Sequence, residues 1–271
     1  MNDGPLSTIL RRAFLGLVAL FIAAPLVVVI GVSFNESRRM SFPPGELSLK
    51  WYRAFFTDAG WMKSLQTSLT ISLLAALIAV TVALPIAYAV WRYNSRAAKA
   101  LAGVGSGLFL LPGVVTALMF SAFWGVVGHV GRIENVILSH AVILLGVPVA
   151  MLSVGFQSIE KALIEAAHTM GAGDAEAFRM VVRPAMTPYI LCALVYVFVL
   201  SLNEYLIAYM VAGFSVQTLP IRVFTSLRSG YEPTMCVGAV IFILLGFAAF
   251  SLLAAIGDLP KLMGRHRPLE A

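Results

Sequence analysis

The chain has 271 residues, of which 60% are hydrophobic and only 12% are charged. Soluble globular domains are about 45–50% apolar and about 25% charged, so this composition excludes an ordinary soluble enzyme and indicates an all-α polytopic membrane protein. The formal net charge is +6, but the basic residues are spread over short loops and form no stripe interleaved with aromatic residues. This pattern argues against nucleic-acid binding and is typical of contact with anionic lipid headgroups.

Long runs without charge predict six membrane-spanning helices in a single transmembrane domain over residues 1–271. The first run follows Arg11 and Arg12, as the apolar region of a signal peptide would. It is longer than such a region and has no clear A-x-A cleavage site, so a retained span is favoured over a cleaved signal. Each run reaches the roughly 20 residues that cross a hydrocarbon core. The predicted spans cover residues 13–33, 64–90, 101–128, 135–157, 186–210 and 234–257.

Prolines and aromatic residues indicate where the spans bend and where the chain lies at the membrane surface. Residues 34–63 are polar, and Trp51 and Trp61 within them are expected to anchor this loop among lipid headgroups. Pro112 stands in a Leu-Pro-Gly sequence and is expected to loosen the third span, because proline supplies no backbone N–H. The other prolines expected to kink their helices are Pro85 and Pro148.

A charged segment between the fourth and fifth spans, residues 158–185, has the pattern of a folded loop. Its apolar residues recur at spacings of three and four, which predicts a short amphipathic helix. Gly171 is expected to end this helix in a left-handed conformation, and Asp174 to cap a second short helix that Pro184 and Pro188 close. Such a loop is suited to present a shaped surface to another protein. The residues expected to share the apolar face are Ile159, Leu163, Ala166, Ala167 and Met170.

A short motif stands in the first loop helix and beyond it: Glu165, Ala166, Ala167, Gly171 and Pro184. It resembles the EAA motif of permease subunits of binding-protein-dependent ABC importers. The resemblance implies that loop 158–185 contains the coupling helix, which sits in a groove of a cytoplasmic ATPase and transmits its opening and closing. The motif departs from the family pattern at Arg183, where the family commonly has an apolar residue.

Further segments occur in an order that resembles the spermidine/putrescine-type permeases of this family. They are Ser-Phe-Asn at 33–35, Trp-Tyr at 51–52, Ser-Leu-Asn-Glu at 201–204, Thr-Leu-Pro at 218–220 and Gly-Tyr-Glu-Pro at 230–233. Those relatives often have two adjacent acids where this chain has Asn203 and Glu204. The order of the segments is more specific than any single one of them.

The resemblance implies a six-span bacterial inner-membrane permease of the MetI-like fold, with both termini cytoplasmic, that carries a small amine such as spermidine or putrescine. The implied partners are a second and different permease subunit, two copies of an ATPase, a periplasmic binding protein and membrane lipid. ATP and Mg²⁺ would bind to the ATPase, so this chain is expected to hold no cofactor and no catalytic residue. The segments placed inside hold 11 Lys and Arg against 8 outside, which favours this orientation weakly.

Other functions remain open at this stage. The same kind of permease could carry a different small solute, such as an opine, an amino acid derivative or an aminophosphonate. An ion-coupled secondary transporter is the alternative from another class, but the chain has no detectable inverted repeat and no set of ionisable residues within its spans. No G-x-x-x-x-G-K-[ST] loop is present. The histidines are too scattered to predict a metal site.

Glu204 is the substrate-path candidate, together with Asn203. A carboxylate within a span is costly and usually faces a cavity, a partner or the interface. Counted along the fifth span, Glu204 is expected near the outer edge of the hydrocarbon core, where it would meet a substrate cation. The alternative is an interfacial ion pair with Arg222 or Arg228. For the one histidine within a span, His140, a hydrogen-bonded packing role is favoured over a proton relay.

Overall fold

The computed structural model describes residues 5–230 and 232–256, and the expected cytoplasmic termini lie outside these residues. In this part of the chain the regular elements are helices, with one isolated β-bridge between Asn35 and Leu47. The chain divides into two compact units. The first comprises the described residues up to Lys63 together with Arg222–Leu244, and the second comprises Ser64–Ile221 together with the described residues from Leu245 onward.

The helices are numbered in chain order. They are α1 (Pro5–Ser33), α2 (Lys50–Thr57), α3 (Ala59–Tyr93), α4 (Arg96–Leu110), α5 (Gly113–Val127), α6 (Ile133–Ile143), α7 (Gly146–Gln157), α8 (Lys161–Thr169), α9 (Asp174–Ala177), a π-helical turn (Phe178–Val182), α10 (Arg183–Asn203), α11 (Leu206–Ala212), α12 (Leu219–Ser229) and α13 (Thr234–Ile256).

Between four and six segments of the described chain are long and apolar enough to cross a membrane. Four are single helical stretches, and two more are pairs of helices that each count as one span if the pair is taken together. The predicted span 101–128 is such a pair, because α4 and α5 meet at an angle of 114°. Pro112 supplies no N–H and holds Leu111 in an extended conformation with ψ of 148°, so α4 ends there. The predicted span 135–157 is bent by 44° between α6 and α7.

The fifth membrane-spanning stretch begins earlier than expected. Helical structure runs without a break over Asp174–Asn203, which is 30 residues, so the expectation that Pro184 and Pro188 close a separate short helix is wrong. Pro184 follows the π-helical turn and lies in the first turn of α10. A proline is tolerated in a first turn, and the wider π-turn before it accommodates the irregular hydrogen bonding. The second half of the loop is therefore rigidly joined to the span.

In the first unit, the segment after α1 is a folded structure. Trp51 lies on α2 and donates its indole N–H to the carbonyl oxygen of Asn35 at 2.7 Å. Tyr52 and Ser33 form a hydrogen bond of 2.8 Å between their hydroxyl groups. Trp51 and Trp61 are 8% and 6% exposed, so the expectation that they anchor among lipid headgroups is wrong. The ring of Trp61 lies 5.4 Å from that of Phe55 and 4.8 Å from the guanidinium of Arg222.

The second unit has two buried apolar clusters. One gathers small side chains of α3, including Ala75 and Ala79, against α5, α6, α10 and α11. The other gathers the end of α3 against α4, α7 and α10, with Leu152, Phe156 and Met186 at its centre. Small residues let the backbones of membrane helices approach closely, since packing rather than water exclusion holds them together.

Two glycines of α7 allow it to pack closely against α4 and α10. A Cβ added at Gly146 on α7 would lie 2.7 Å from the Cα atom of Ser106 and 2.8 Å from the carbonyl oxygen of Gly105 on α4. A Cβ added at Gly155 would lie 2.7 Å from the ring of Tyr189 on α10. Both positions therefore require glycine, and α7 packs against its neighbours at van der Waals contact.

Candidate functional site

Helix α8 carries the predicted Glu-Ala-Ala motif and presents most of its side chains to solvent. Ala167 is 8% exposed, and the half-buried Ile164 packs against the second buried cluster of the unit. Glu165 and Ala166 are exposed. Ile159 is also buried, but it precedes the helix, so the expectation that all the apolar residues share one face is wrong. Of the predicted apolar face, the residues left exposed are Leu163 and Ala166 on α8 and Met170 at its C-cap.

Gly171 ends α8 as the sequence predicts, in a left-handed conformation with φ of +90°. Its N–H donates to the carbonyl oxygen of His168 at 2.9 Å, and the N–H of Ala172 donates to that of Ala167 at 3.0 Å. This pair of bonds is the Schellman motif, in which glycine is favoured because it has no Cβ to clash. The direction in which the chain leaves α8 is thus set by a glycine.

Asp174 lies inside the first turn of the following helix, where Gly173 is the N-cap. The expectation that Asp174 caps this helix with its side chain is therefore wrong. A carboxylate in a first turn still complements the helix dipole. Asp174 also faces Arg92 and His168, with its Oδ1 atom 3.6 Å from Nη2 of Arg92 and 3.6 Å from Nε2 of His168. These contacts connect the loop to the end of α3.

Aromatic rings join the same loop to α3 and α7. Phe178, on the π-helical turn, meets Tyr88 of α3 edge to face with ring centroids 5.6 Å apart. Trp91 of α3 stacks on Phe156 of α7 at 5.3 Å. Aromatic contacts of this geometry add about 0.5–1.5 kcal/mol each beyond area burial. The loop is therefore packed against α3, which in turn packs against α7.

Glu204 lies at a break between two helices. It follows the last residue of α10 in an extended conformation with ψ of 114°. Its carboxylate oxygens accept hydrogen bonds from the backbone N–H groups of Leu206, Ile207 and Ala208 at 3.0–3.3 Å. These N–H groups begin α11 and have no partner within that helix, so Glu204 completes the helix start. About 20% of its side-chain surface stays exposed.

His140 of α6 is the partner that the structure brings to Glu204. Its Nε2 atom lies 3.1 Å from Oε2 of Glu204, which is an ion-pair distance without the alignment of a hydrogen bond. Its Nδ1 atom is 2.8 Å from the hydroxyl oxygen of Ser201. His140 is 1% exposed, and the favoured hydrogen-bonded role agrees with this geometry. The alternative partner Arg222 forms an ion pair with Asp58 at 3.1 Å.

The link between His140 and Glu204 is the feature that sequence reasoning missed. The two residues are far apart in the chain, and no spacing rule connects them. The available signal was that each is an ionisable residue within an apolar run, where pairing is expected. Asn203, the other path candidate, donates its amide to the carbonyl oxygen of Val199 at 2.8 Å.

An apolar cavity of about 500 Å³ lies between α4, α5 and α6. Its few polar groups include Ser139, which precedes His140 in α6 and accepts a hydrogen bond of 3.0 Å from the indole N–H of Trp124. Among the described residues, no group of three His, Cys, Asp or Glu is placed to hold a metal ion.

Comparison with known proteins identifies the family. The family model for the binding-protein-dependent transport system inner membrane component matches residues 79–258. The chain is 27% identical over 239 residues to the spermidine/putrescine transport system permease protein PotC of Haemophilus influenzae, covering 88% of this chain and 93% of that protein. It is also 27% identical over 247 residues to the putrescine transport system permease protein PotI of Escherichia coli K12, covering 86% and 87%.

Solved structures show the same fold. A bacterial ABC transporter involved in the import of the acidic polysaccharide alginate matches with a TM-score of 0.67 and 15% identity, over 98% of this chain and 99% of that one. The MetNI methionine ABC transporter in an inward-facing conformation matches with a TM-score of 0.59 and 17% identity, over 74% and 100%. The expected MetI-like permease fold is thereby confirmed. The chain belongs to the family of binding-protein-dependent transport system inner membrane components, and it is a membrane permease subunit rather than an enzyme.

Proposed function

We propose that this chain forms the translocation path of an ATP-driven importer for a small amine such as spermidine or putrescine. The observation that carries the proposal is the similarity to polyamine permeases over 86% or more of the chain. A carboxylate at a helix break, Glu204, adds a group able to attract an ammonium ion. Substrate would arrive from a periplasmic binding protein, and a second permease subunit would complete the path.

Loop 158–185 is the proposed site of coupling to the ATPase. Leu163 on α8 and Met170 at its C-cap are 54% and 88% exposed, and apolar side chains left in this position favour insertion into a groove of another protein. Gly171 sets the exit direction of the chain, and Pro184 lies where the loop continues into α10. Two copies of the ATPase would bind ATP and Mg²⁺, and movement of the loop would reach α3 through the contact of Phe178 with Tyr88.

Glu204 and Asn203 are the proposed path residues. Glu204 keeps about a fifth of its side-chain surface exposed while its oxygens hold the start of α11. A passing cation would compete with these N–H groups and with His140 for the carboxylate. Transport requires that such binding be reversible. The proposed orientation places both termini and loop 158–185 in the cytoplasm of a bacterial cell, with the chain in the inner membrane.

The test is substrate-dependent ATP hydrolysis by the co-purified complex in proteoliposomes. Spermidine or putrescine with the binding protein should stimulate ATP hydrolysis and drive uptake of the labelled amine. Uptake that follows an ion gradient and does not need ATP would contradict the proposal and support a secondary transporter. If an opine, an amino acid derivative or an aminophosphonate stimulated ATP hydrolysis and amines did not, the chain would still be part of an ATP-driven importer. Its substrate would then not be a small amine.

A further inference from the structure

A groove with one charged end opens between the end of α3 and the start of α10. It has a volume of about 730 Å³, which is the size of a small-molecule pocket. Its floor is formed by Phe156 and Met186, which are 1% and 2% exposed. Its walls include Leu84 and Ile190. The groove is therefore apolar along its length and lies between helices that span the membrane.

Arg183 lines the loop end of the same groove. It stands seven residues before Ile190 on α10, so the groove extends about 10 Å from this charge toward the apolar end, at about 1.5 Å per residue. Arg183 is exposed, and its guanidinium has no ion-pair partner within residues 5–230 and 232–256.

The groove contains one negative charge, and that charge is already balanced. Asp174 lines the groove near Arg183, but its carboxylate is 3.6 Å from the guanidinium of Arg92. Among the residues that the structure describes, the positive charge of Arg183 is thus left without a counter-charge. An apolar groove that ends in the positive charge of Arg183 is complementary to a molecule with a hydrocarbon chain and an anionic head.

We propose that this groove binds an anionic membrane phospholipid. One acyl chain would lie over Phe156 and Met186 between α3 and α10, and the phosphate would meet the guanidinium of Arg183, which binds phosphate oxygens in a bidentate manner. Basic pockets between membrane helices recognise anionic lipid heads in this way. The bound lipid would lie against loop 158–185 and so connect the lipid composition of that leaflet to the position of the loop.

The test uses the complex, purified with the subunits that accompany it, in nanodiscs that contain lipid brominated on the acyl chain. Trp91 stacks on Phe156 at 5.3 Å, so bromine in the groove should quench its fluorescence. The contribution of Trp91 is obtained by difference from Trp91→Phe. Brominated phosphatidylglycerol should quench half of the Trp91 fluorescence at a mole fraction about fivefold lower than brominated phosphatidylcholine needs. A preference of about this size is expected when one arginine lies near an anionic headgroup.

Substitutions assign the effect to Arg183. With Arg183→Gln, phosphatidylglycerol should half-quench Trp91 only at the mole fraction that phosphatidylcholine needs. Arg183→Lys should retain most of the preference for phosphatidylglycerol. Arg179→Gln is the matched control, since Arg179 is exposed on the π-helical turn and does not line the groove. Equal quenching by the two lipids, or no effect of Arg183→Gln, would overturn the proposal.

Two further results would assign the groove to another ligand. If millimolar inorganic phosphate abolished the stronger quenching by brominated phosphatidylglycerol, the site would bind a soluble anion. Loss of quenching whenever the ATPase subunits are bound would show that a protein covers the groove. Either result overturns lipid binding. The proposed transport function is independent of all these outcomes, because it is measured by amine-stimulated ATP hydrolysis.

Discussion

Glu204 has two roles to reconcile, because the carboxylate proposed for the substrate path also holds the start of α11. Its oxygens accept three backbone N–H groups and face His140. A purely structural carboxylate would be needed for folding, whereas a path residue would also be needed for uptake. The two roles therefore differ in what a neutral substitution of similar shape should do.

Glu204→Gln should reduce uptake of a cationic amine by about tenfold or more while the complex still assembles. The amide oxygen still accepts backbone hydrogen bonds, so the loss of stability should stay near the roughly 1 kcal/mol typical of helix caps. A tenfold effect corresponds to about 1.4 kcal/mol. Initial uptake rates at matched amounts of folded protein check this, with Glu134→Gln as an exposed carboxylate control on α6. Unchanged kinetics would leave Glu204 as a structural residue only.

His140→Gln should destabilise the protein by about 1–3 kcal/mol, because it removes the buried partner of Glu204 and of Ser201. In the double variant with Glu204→Gln, the combined loss should be smaller than the sum of the single losses, since the two residues interact. Denaturant unfolding in detergent, followed by tryptophan fluorescence, measures this. Additive losses would show that the His140 and Glu204 side chains are not energetically coupled.

At the scale of the elements, close helix contacts and the exit from α8 depend on single glycines. Gly146 lies against the backbone of α4, and Gly171 has a positive φ. At Gly146 there is no room for a side chain, whereas at Gly171 the backbone conformation disfavours one. Substitution of Gly146 should therefore reduce stability, and substitution of Gly171 should change the path of the chain.

Gly146→Ala should destabilise the second unit by about 1–3 kcal/mol, because the new methyl group would meet backbone atoms that cannot move aside. The midpoint of thermal unfolding in detergent measures the loss. Gly107→Ala on α4 is the matched control, since nothing lies within 4 Å of its Cβ position, and it should be neutral. Equal midpoints for the two variants would mean that α4 and α7 separate easily.

Gly171→Val should leave the chain inserted in the membrane but uncouple it from the ATPase. A branched residue at φ of +90° costs about 1 kcal/mol or more and would redirect the chain after α8. Co-purification of the ATPase and amine-stimulated hydrolysis are the readouts. Gly173→Ser is the control, because Gly173 is an N-cap with an extended backbone, φ of −75° and open space around it, and serine is a preferred N-cap residue. Normal coupling in the Gly171 variant would contradict the proposed role of the loop.

At the scale of the whole molecule, we expect the chain to work beside a different permease subunit. Large apolar side chains of α5 remain exposed, among them Val126 at 90% and Phe123 at 54%, and only lipid or another membrane helix can cover them. Native mass spectrometry of an active complex should show one copy of this chain, one copy of a second permease and two ATPase subunits. Two copies of this chain with no other membrane subunit would refute the expectation.

The sequence by itself determined the features that depend on local chemistry. Apolar runs long enough to cross a membrane need no tertiary contact to be recognised, and Gly171 could be assigned a left-handed turn because few other residues adopt it. The helix break at Pro112 follows from the missing N–H of proline. The order of short motifs indicated the family, which the match over residues 79–258 shows.

Only the tertiary structure decided which distant residues meet and which prolines matter. His140 and Glu204 are joined because α6 packs beside the break after α10, and local spacing carries no information about that contact. Pro184 is accommodated within a continuous helix because a π-helical turn precedes it. Trp51 and Trp61 are covered by neighbours rather than by lipid, since the environment of an amphipathic ring depends on what the rest of the chain places against it.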